Sequence, residues 1–418
     1  MRCQAGAAGP PAGLGRRQAQ RDHHLPRPLS AAGTGELLTA LLDGAELPAE
    51  TARQLRGSAG GNPLFVEEYV GMLRDQRLLP NPEGGGELAP LPVPASVGQL
   101  ITARLDTLPD GDKALLQGAA VLGEVGWAGA LAAVSGAGRD EIERWLVRME
   151  RRELVRRVRP SSMAGETEFA FRHVLVRDVA YAQFPRAERA ERHARVAAWL
   201  ESLGSDRSAD RAELLAHHYQ QALSFGRAAG REVGDLAERA RVAFREAGDR
   251  AHSLNSFPVA ARYYAAALEL WPPGQAPGIG PERAELLLRL GEARCYGEGC
   301  GQEQLTEARD ALMAAGRRAE AADAERMLGR LAWMHGQAAE RDAHHLRALE
   351  LARPEPPTRA KVVVLAAVAS YLVYCDRHAE AVEVADEALG LAAALGLRER
   401  EAMARQVIGT AKVLMGDQ

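Results

Sequence analysis

The chain has 418 residues, 26% of them charged, with 52 basic against 56 acidic side chains and a formal net charge of −4. That length allows about three domains whose cores need no disulfide or metal staple. The near-neutral balance argues against a general nucleic-acid coat or a polybasic membrane binder. Lys113, Lys361 and Lys412 are the only lysines, and none follows a glycine, so the chain holds no G-x-x-x-x-G-K-[ST] phosphate loop. S-x-x-K, G-x-S-x-G and H-E-x-x-H are absent too, and nothing in the sequence announces an enzyme. Cys3, Cys295, Cys300 and Cys375 are too few and too scattered for a disulfide framework. They read as free thiols of a reducing cytosol, which implies a cytoplasmic location. The uncharged, strongly apolar run Val362 to Cys375 has 14 residues, short of a membrane span, and reads as a buried helix.

Residues 1–35 mix Gly, Ala, Pro and Arg without a hydrophobic period, and read as a disordered or mis-started segment. From Glu36 the pattern turns helical, with Leu37, Leu38, Leu41 and Leu42 on one face and Pro48 opening a second helix. Asn62 suits an N-cap and Pro63 the first helical position of a third, which carries Phe65, Val66, Tyr69, Val70 and Leu73. Pro80 to Pro94 holds five prolines and three consecutive glycines, a linker that ends a region 36–95. Within 96–204, Ser96 caps Val97–Leu108, Pro109 opens Asp110–Leu122, and Asp140–Arg152 forms a third long helix. Leu154–Val158 and Glu168–Arg172 read as short strands, and a helical pair broken at Pro185 follows.

Residues 205–418 read as a helical repeat array. The tetratricopeptide pattern W-x2-L-G-x2-Y…A-x3-F…P fits 241–274 through Phe244, Ala247, Gly248, Ala251, Ala260, Tyr264, Ala267 and Pro272. The small residue of this step recurs at Gly291, Gly329, Ala369 and Gly409, at offsets of 43, 38, 40 and 40 residues. Small residues there let paired helices approach closely, and an aromatic fills the gap. Glu401 to Met415 supplies a first helix without a sequential partner, so the array reads as truncated at its C-terminal end.

Three segments carry a family resemblance. Gly60-Gly61-Asn62-Pro63-Leu64-Phe65-Val66-Glu67-Glu68 resembles the GNPLFVEE segment of bacterial signal-transduction ATPases with numerous domains. The run from Phe169 to Tyr181 resembles the family's F-x-F-R-H-x-L-x-R-x-x-A-Y stretch, and Glu213 to Tyr219 looks like the helix that opens its repeats. LuxR-type regulators and class III adenylate cyclases with an attached ATPase module share this layout. The resemblance implies a mostly α chain: the C-terminal lid of an AAA-type ATPase domain, a winged helix-like domain, then an α-solenoid of tetratricopeptide-like repeats. It also implies that ATP and Mg²⁺ serve the parent family, while this chain lacks Walker A and carries no cofactor of its own. The Gly61-Asn62-Pro63 step resembles the family's G-x-P element, which makes these three residues the candidate nucleotide contact; a capped helix start without ligand is the competing reading.

The remaining candidates read as structural. His173 with Arg172, Arg177 and Asp178 suits a domain junction, and His173 and Arg177 would share a helix face. His217-His218 and His344-His345 point about 100° apart within each pair, so neither chelates a metal without further ligands. The candidate recognition helix, Arg139 to Arg152, carries five arginines against four acids over an Ile142, Trp145, Leu146, Met149 core stripe, and nucleic acid is not the expected partner. The repeat array is left as the main functional surface, a groove for a protein or peptide, with the missing ATPase domain as a second partner and no membrane. The chain thus reads as a regulatory interaction fragment; alternatively it belongs to a complete ATP-dependent transcriptional regulator or adenylate cyclase.

Overall fold

The computed structural model of the chain describes residues 28–43, 45, 47–76, 78–79, 93–204, 208–271 and 280–416. Among these the fold is mostly α, with nineteen helices and one three-stranded sheet. Most of the N-terminal segment, residues 1–27, and most of the Pro80–Pro94 linker lie outside the described residues; within 28–35, α1 already opens at Ala31 behind its Ser30 cap, five residues before the helical pattern expected from Glu36. The chain divides into two compact units, the first within Gly6–Ser205 and His217–Val233, the second within Asp206–Ala216 and Gly234–Gln418.

In the first unit, α1 (Ala31–Leu42), α2 (Ala49–Ala59) and α3 (Pro63–Asp75) bury Leu38, Leu42, Leu55, Phe65, Tyr69 and Leu73 in one core. Ser30 caps α1 by accepting from the Gly33 amide at 3.1 Å, which satisfies an N–H that the helix itself cannot. There follow α4 (Val97–Asp106), α5 (Asp110–Leu122), β1 (Val125–Trp127), α6 (Ala128–Ser135), α7 (Arg139–Arg151), β2 (Val155–Val158) and β3 (Glu168–Phe171). β3 lies between β1 and β2, antiparallel to both, pairing Val125 with Ala170 and Val155 with Phe171. Trp145 of α7 is fully buried, its indole N–H donating to the Asp112 carbonyl at 3.2 Å and its ring edge-on to Phe169. The unit also contains α8 (Val174–Ala182), α9 (Arg186–Ser202) and the later part of α10 (Ser208–Ala228).

The strands β2 and β3 and the long helices lie where the sequence puts them, whereas β1 and α6 are additions. Three residues around Gly126 give no alternation to read, yet the glycine is required: a Cβ there would meet Leu122 Cδ1 at 2.7 Å and the Phe169 ring at 2.9 Å. Arg104 is the buried polar centre of this unit. It is 4% exposed and donates to Glu68 at 2.7 Å, to Asp75 at 2.8 Å and to the Arg152 carbonyl, so it ties α3, α4 and the end of α7 together.

The second unit is a row of helical pairs: α11 (Gly234–Ser253) with α12 (Phe257–Glu269), α13 (Pro281–Glu298) with α14 (Gln302–Ala314), α15 (Arg318–Met334) with α16 (Ala338–Ala352), and α17 (Arg359–Tyr374) with α18 (His378–Ala394). A single helix, α19 (Arg398–Met415), packs on α18 and α17. Where paired helices cross, one residue lacks bulk. A Cβ on Gly248 would meet the Tyr264 ring at 2.5 Å, on Gly291 the Leu305 side chain at 2.6 Å, and on Gly329 the His345 imidazole at 2.5 Å. The tetratricopeptide-like step thus closes three of the four pairs, with an aromatic, an aliphatic and an imidazole as the filling group. α15 packs on α13 and on α17, and α17 on α19, so the odd-numbered helices form one continuous layer. α17 is the buried helix expected, with Val362, Val364, Leu365, Val368 and Leu372 in the core. Among the described residues no helix is long and apolar enough to cross a membrane.

The crossing glycines separate sharply from Gly409, which has no atom within 4 Å of its would-be Cβ. Gly329→Ala is expected to destabilise the repeats by about 1–3 kcal/mol through overpacking against His345. Gly409→Ala is expected to gain up to about 1 kcal/mol from helix propensity. Urea denaturation of the two variants checks this, and equal midpoints would contradict it.

Candidate binding groove

A cavity of about 300 Å³ opens on the odd-numbered layer of the repeats. Its walls come from Glu292 and Tyr296 on α13, Arg326, Arg330 and Trp333 on α15, and Tyr371 and Tyr374 on α17, with Arg400 and Met403 on α19 closing one end. Arg341 and His345 of α16 reach it from behind. Repetition explains part of the assembly: Tyr296, Trp333 and Tyr374 follow Gly291, Gly329 and Ala369 by 5, 4 and 5 positions, and stacking brings their helices side by side.

The floor is an ordered polar chain. His345, seated against Gly329, stacks on Tyr371 with ring centroids 3.8 Å apart, and its Nδ1–H donates to the Arg341 carbonyl at 2.8 Å. Burial pulls the His345 imidazole down to about 4, so it is neutral at pH 7. The Tyr371 hydroxyl donates to Asp342, which also accepts from Arg341 Nε at 2.8 Å; these two bonds hold the Asp342 carboxyl below the usual carboxylate range. Arg326 is 8% exposed and bonds Asp323 at 2.6 Å, with Glu292 4.0 Å away. Burial opposes the Arg326 charge, but Asp323, Tyr296 and Glu292 outweigh it and shift the guanidinium upward. Glu292 moves up as well, first through burial and then through Asp323.

Two arginines differ from these. Among the described residues neither Arg330 nor Arg400 has a carboxylate within ion-pair reach. Arg330 lies 4.7 Å over the Tyr296 ring, with its Nε buried beside the Cys295 thiol. Arg400 contacts the Met403 sulfur at 3.7 Å. Beside them stand exposed aromatics: Trp333 and Tyr374, 54% and 80% exposed, stack at 6.3 Å, and Tyr296 stacks on Phe257 at 4.9 Å.

The other candidates resolve differently. Asn62 Oδ1 accepts from the Leu64 amide at 3.1 Å with Pro63 at the first turn, so the Gly61-Asn62-Pro63 step is a capped helix start. Gly61, at φ 79°, is crossed by Leu29, whose amide donates to the Gly61 carbonyl at 2.8 Å. His173 caps α8 and faces Glu67 at 3.4 Å, while Arg177 turns to the Ala120 carbonyl and to Asp178, so the supposed shared face separates. Cys295 is buried and Cys300 half-buried, the Cys300 thiol donating to Glu298 at 3.5 Å. His344 bonds Glu325 at 2.6 Å. Among the described residues no three His, Cys, Asp or Glu side chains are placed to hold a metal ion.

His218 meets a residue that sequence spacing could not supply. His193 of α9 places its Nδ1 2.9 Å from His218 Nδ1 and its Nε2 2.9 Å from the Tyr181 hydroxyl, with both imidazoles buried. Only one proton fits between two facing Nδ1 atoms, so the two rings cannot both be charged. Burial, then neighbouring positive groups, lowers His193 to about 2 and His218 to about 3. Unfolded imidazoles titrate near ~6.5. Since both folded values lie below that, the pair's stability is complete above about pH 6.5 and is lost as pH falls from there toward about 3. The denaturation midpoint of the first unit is therefore expected to drop between about pH 6.5 and 4.5, and less so in a His193→Phe/His218→Leu variant. An equal drop in both proteins would contradict the assignment.

Comparison with known proteins adds little to this geometry. A family described as a domain of unknown function (DUF8739) matches residues 32–83. No curated protein sequence matches the chain. Among solved structures, a Signal Transduction ATPase with Numerous Domains (STAND) protein with a tetratricopeptide repeat sensor, from Pyrococcus horikoshii, is similar at 12% identity and a TM-score of 0.32. That similarity covers 92% of this chain and 63% of the other, so this chain spans less than two thirds of its length. The TPR2AB domain of yeast Sti1 in complex with pHSP90 is similar at 16% identity and a TM-score of 0.18, over 54% of this chain and 92% of that one. At these scores the fold rests on the helix pairs themselves.

Proposed function

We propose that the chain is a regulatory interaction module of a signal-transduction ATPase and that its odd-helix groove binds a protein or peptide partner. The carrying observation is the pairing of two guanidiniums that lack acidic partners with exposed, stacked aromatics in one concave site. Such groups lose little and gain much when a ligand covers them. On this reading α1–α3 form the lid of an AAA-type domain, and the order of α5, β1, α6, α7, β2 and β3 corresponds to a winged helix. That winged helix acts as an internal arm rather than a DNA reader, since Arg139 and Arg148 are already committed to Glu166 and Asp112. The groove reading is tested by panning random displayed dodecapeptides on the purified chain. Enriched sequences are expected to lose at least tenfold in affinity on a Trp333→Ala/Tyr374→Ala variant; absence of enrichment, or indifference to that variant, would overturn it.

A second proposal concerns nucleotide. Without a glycine-lysine phosphate loop the chain alone does not hydrolyse ATP and takes no cofactor; the Gly61-Asn62-Pro63 resemblance favours a parent protein, an ATP-dependent regulator or adenylate cyclase, that does. Calorimetry with MgATP is expected to show no heat for this chain, and micromolar binding would contradict the proposal.

A further inference from the structure

The charge and ring pattern of the groove narrows the chemistry of its partner. Of the four arginines that line it, two are answered from within: Arg326 by Asp323 and Arg341 by Asp342. Arg330 and Arg400 are not: the buried Nε of Arg330 lies beside the Cys295 thiol, and among the described residues neither guanidinium has a carboxylate within ion-pair reach. A guanidinium in that state is best satisfied by a carboxylate, which takes two of its N–H groups at once. The acid already present, Glu292, faces Arg326 and His252 instead.

The rings say that the ligand is elongated. Phe257 and Tyr296 stack at one place, Trp333 and Tyr374 at another, and these residues come from four different helices. Trp333 and Tyr374 are far more exposed than their size favours, and Tyr374 has four fifths of its surface free. An extended peptide can reach both ring pairs, which a compact small molecule confined to the 300 Å³ cavity does not.

Building on the groove reading above, we infer that the partner is an extended peptide segment in which acidic residues lie next to aromatic ones, the acids pairing with Arg330 and Arg400 and the rings stacking on Trp333 and Tyr374. Aromatic residues supply contact area at small entropic cost, and the acids fix register.

The test uses the whole chain and four dye-labelled, end-capped decapeptides that alternate Asp with Tyr, Asp with Ser, Lys with Tyr, and Lys with Ser, read by fluorescence polarisation. The Asp/Tyr peptide is expected to bind at least tenfold more tightly than the other three, and more weakly at high salt. Arg330→Gln/Arg400→Gln is expected to remove its advantage over Lys/Tyr, with an unchanged circular-dichroism melt; Arg400→Gln alone serves if the double variant unfolds. Equal binding of Asp/Ser would overturn the role of the rings, and equal or tighter binding of Lys/Tyr the role of the arginines, while leaving the groove reading intact. Binding of a capped Asp-Tyr dipeptide as tightly as the decapeptide would overturn the extended partner in favour of a small ligand. If none of the four binds while panned peptides do, the inference alone fails; if neither binds, the groove reading fails with it.

Discussion

The repeats depend on one steric constraint: paired helices cross where one of them has almost no side chain. At Gly248, Gly291 and Gly329 even a methyl group would lie within 2.6 Å of the partner helix. Such an approach is available only to glycine, and it fixes the pair more tightly than helix propensity, which glycine weakens. The consequence reaches the groove. Gly329 sets the depth of His345, His345 stacks on Tyr371, and Tyr371 holds Asp342, which in turn engages Arg341. A packing requirement between two helices therefore orders the polar floor of the site.

The first unit uses a different device. Arg104 lies under the surface among Glu68, Asp75 and the Arg152 carbonyl, with Gly71 giving its guanidinium room. A buried charge network of this kind is costly to desolvate and adds little net stability, but removal of one member leaves the others unpaired. Its effect is geometric, since apolar contacts alone would let α3 slide on α4, whereas two carboxylates and a carbonyl around one planar group allow a single register. The His193–His218 pair is similar in logic: two buried rings share one proton, and the arrangement fails once both carry a charge.

Much of this was legible in the sequence because local rules govern it. The caps at Asn62 and Ser96 and the strands β2 and β3 follow from residue type and spacing, as does the recurrence of small residues near every fortieth position. Other features were hidden because they arise from distant residues. Arg104 in an amphipathic helix reads as a surface charge, and nothing near His218 announces His193, 25 residues away. β1 and α6 are short and rich in small residues, which leaves no period to detect. The groove was half visible: the repeat array pointed to a protein or peptide partner, but which arginines lack acids depends on three-dimensional pairing. The nucleotide contact at Gly61-Asn62-Pro63 rests on resemblance, and its local geometry is that of a helix cap.

Hydrogen–deuterium exchange of the whole chain, with and without a peptide selected for binding, tests the central claim most directly. The account predicts that protection concentrates on α13, α15 and α17 around Tyr296, Trp333 and Tyr371, with α14 and α18 unchanged. Protection confined to α14 and α18, or to the unit that holds Arg104, would contradict it.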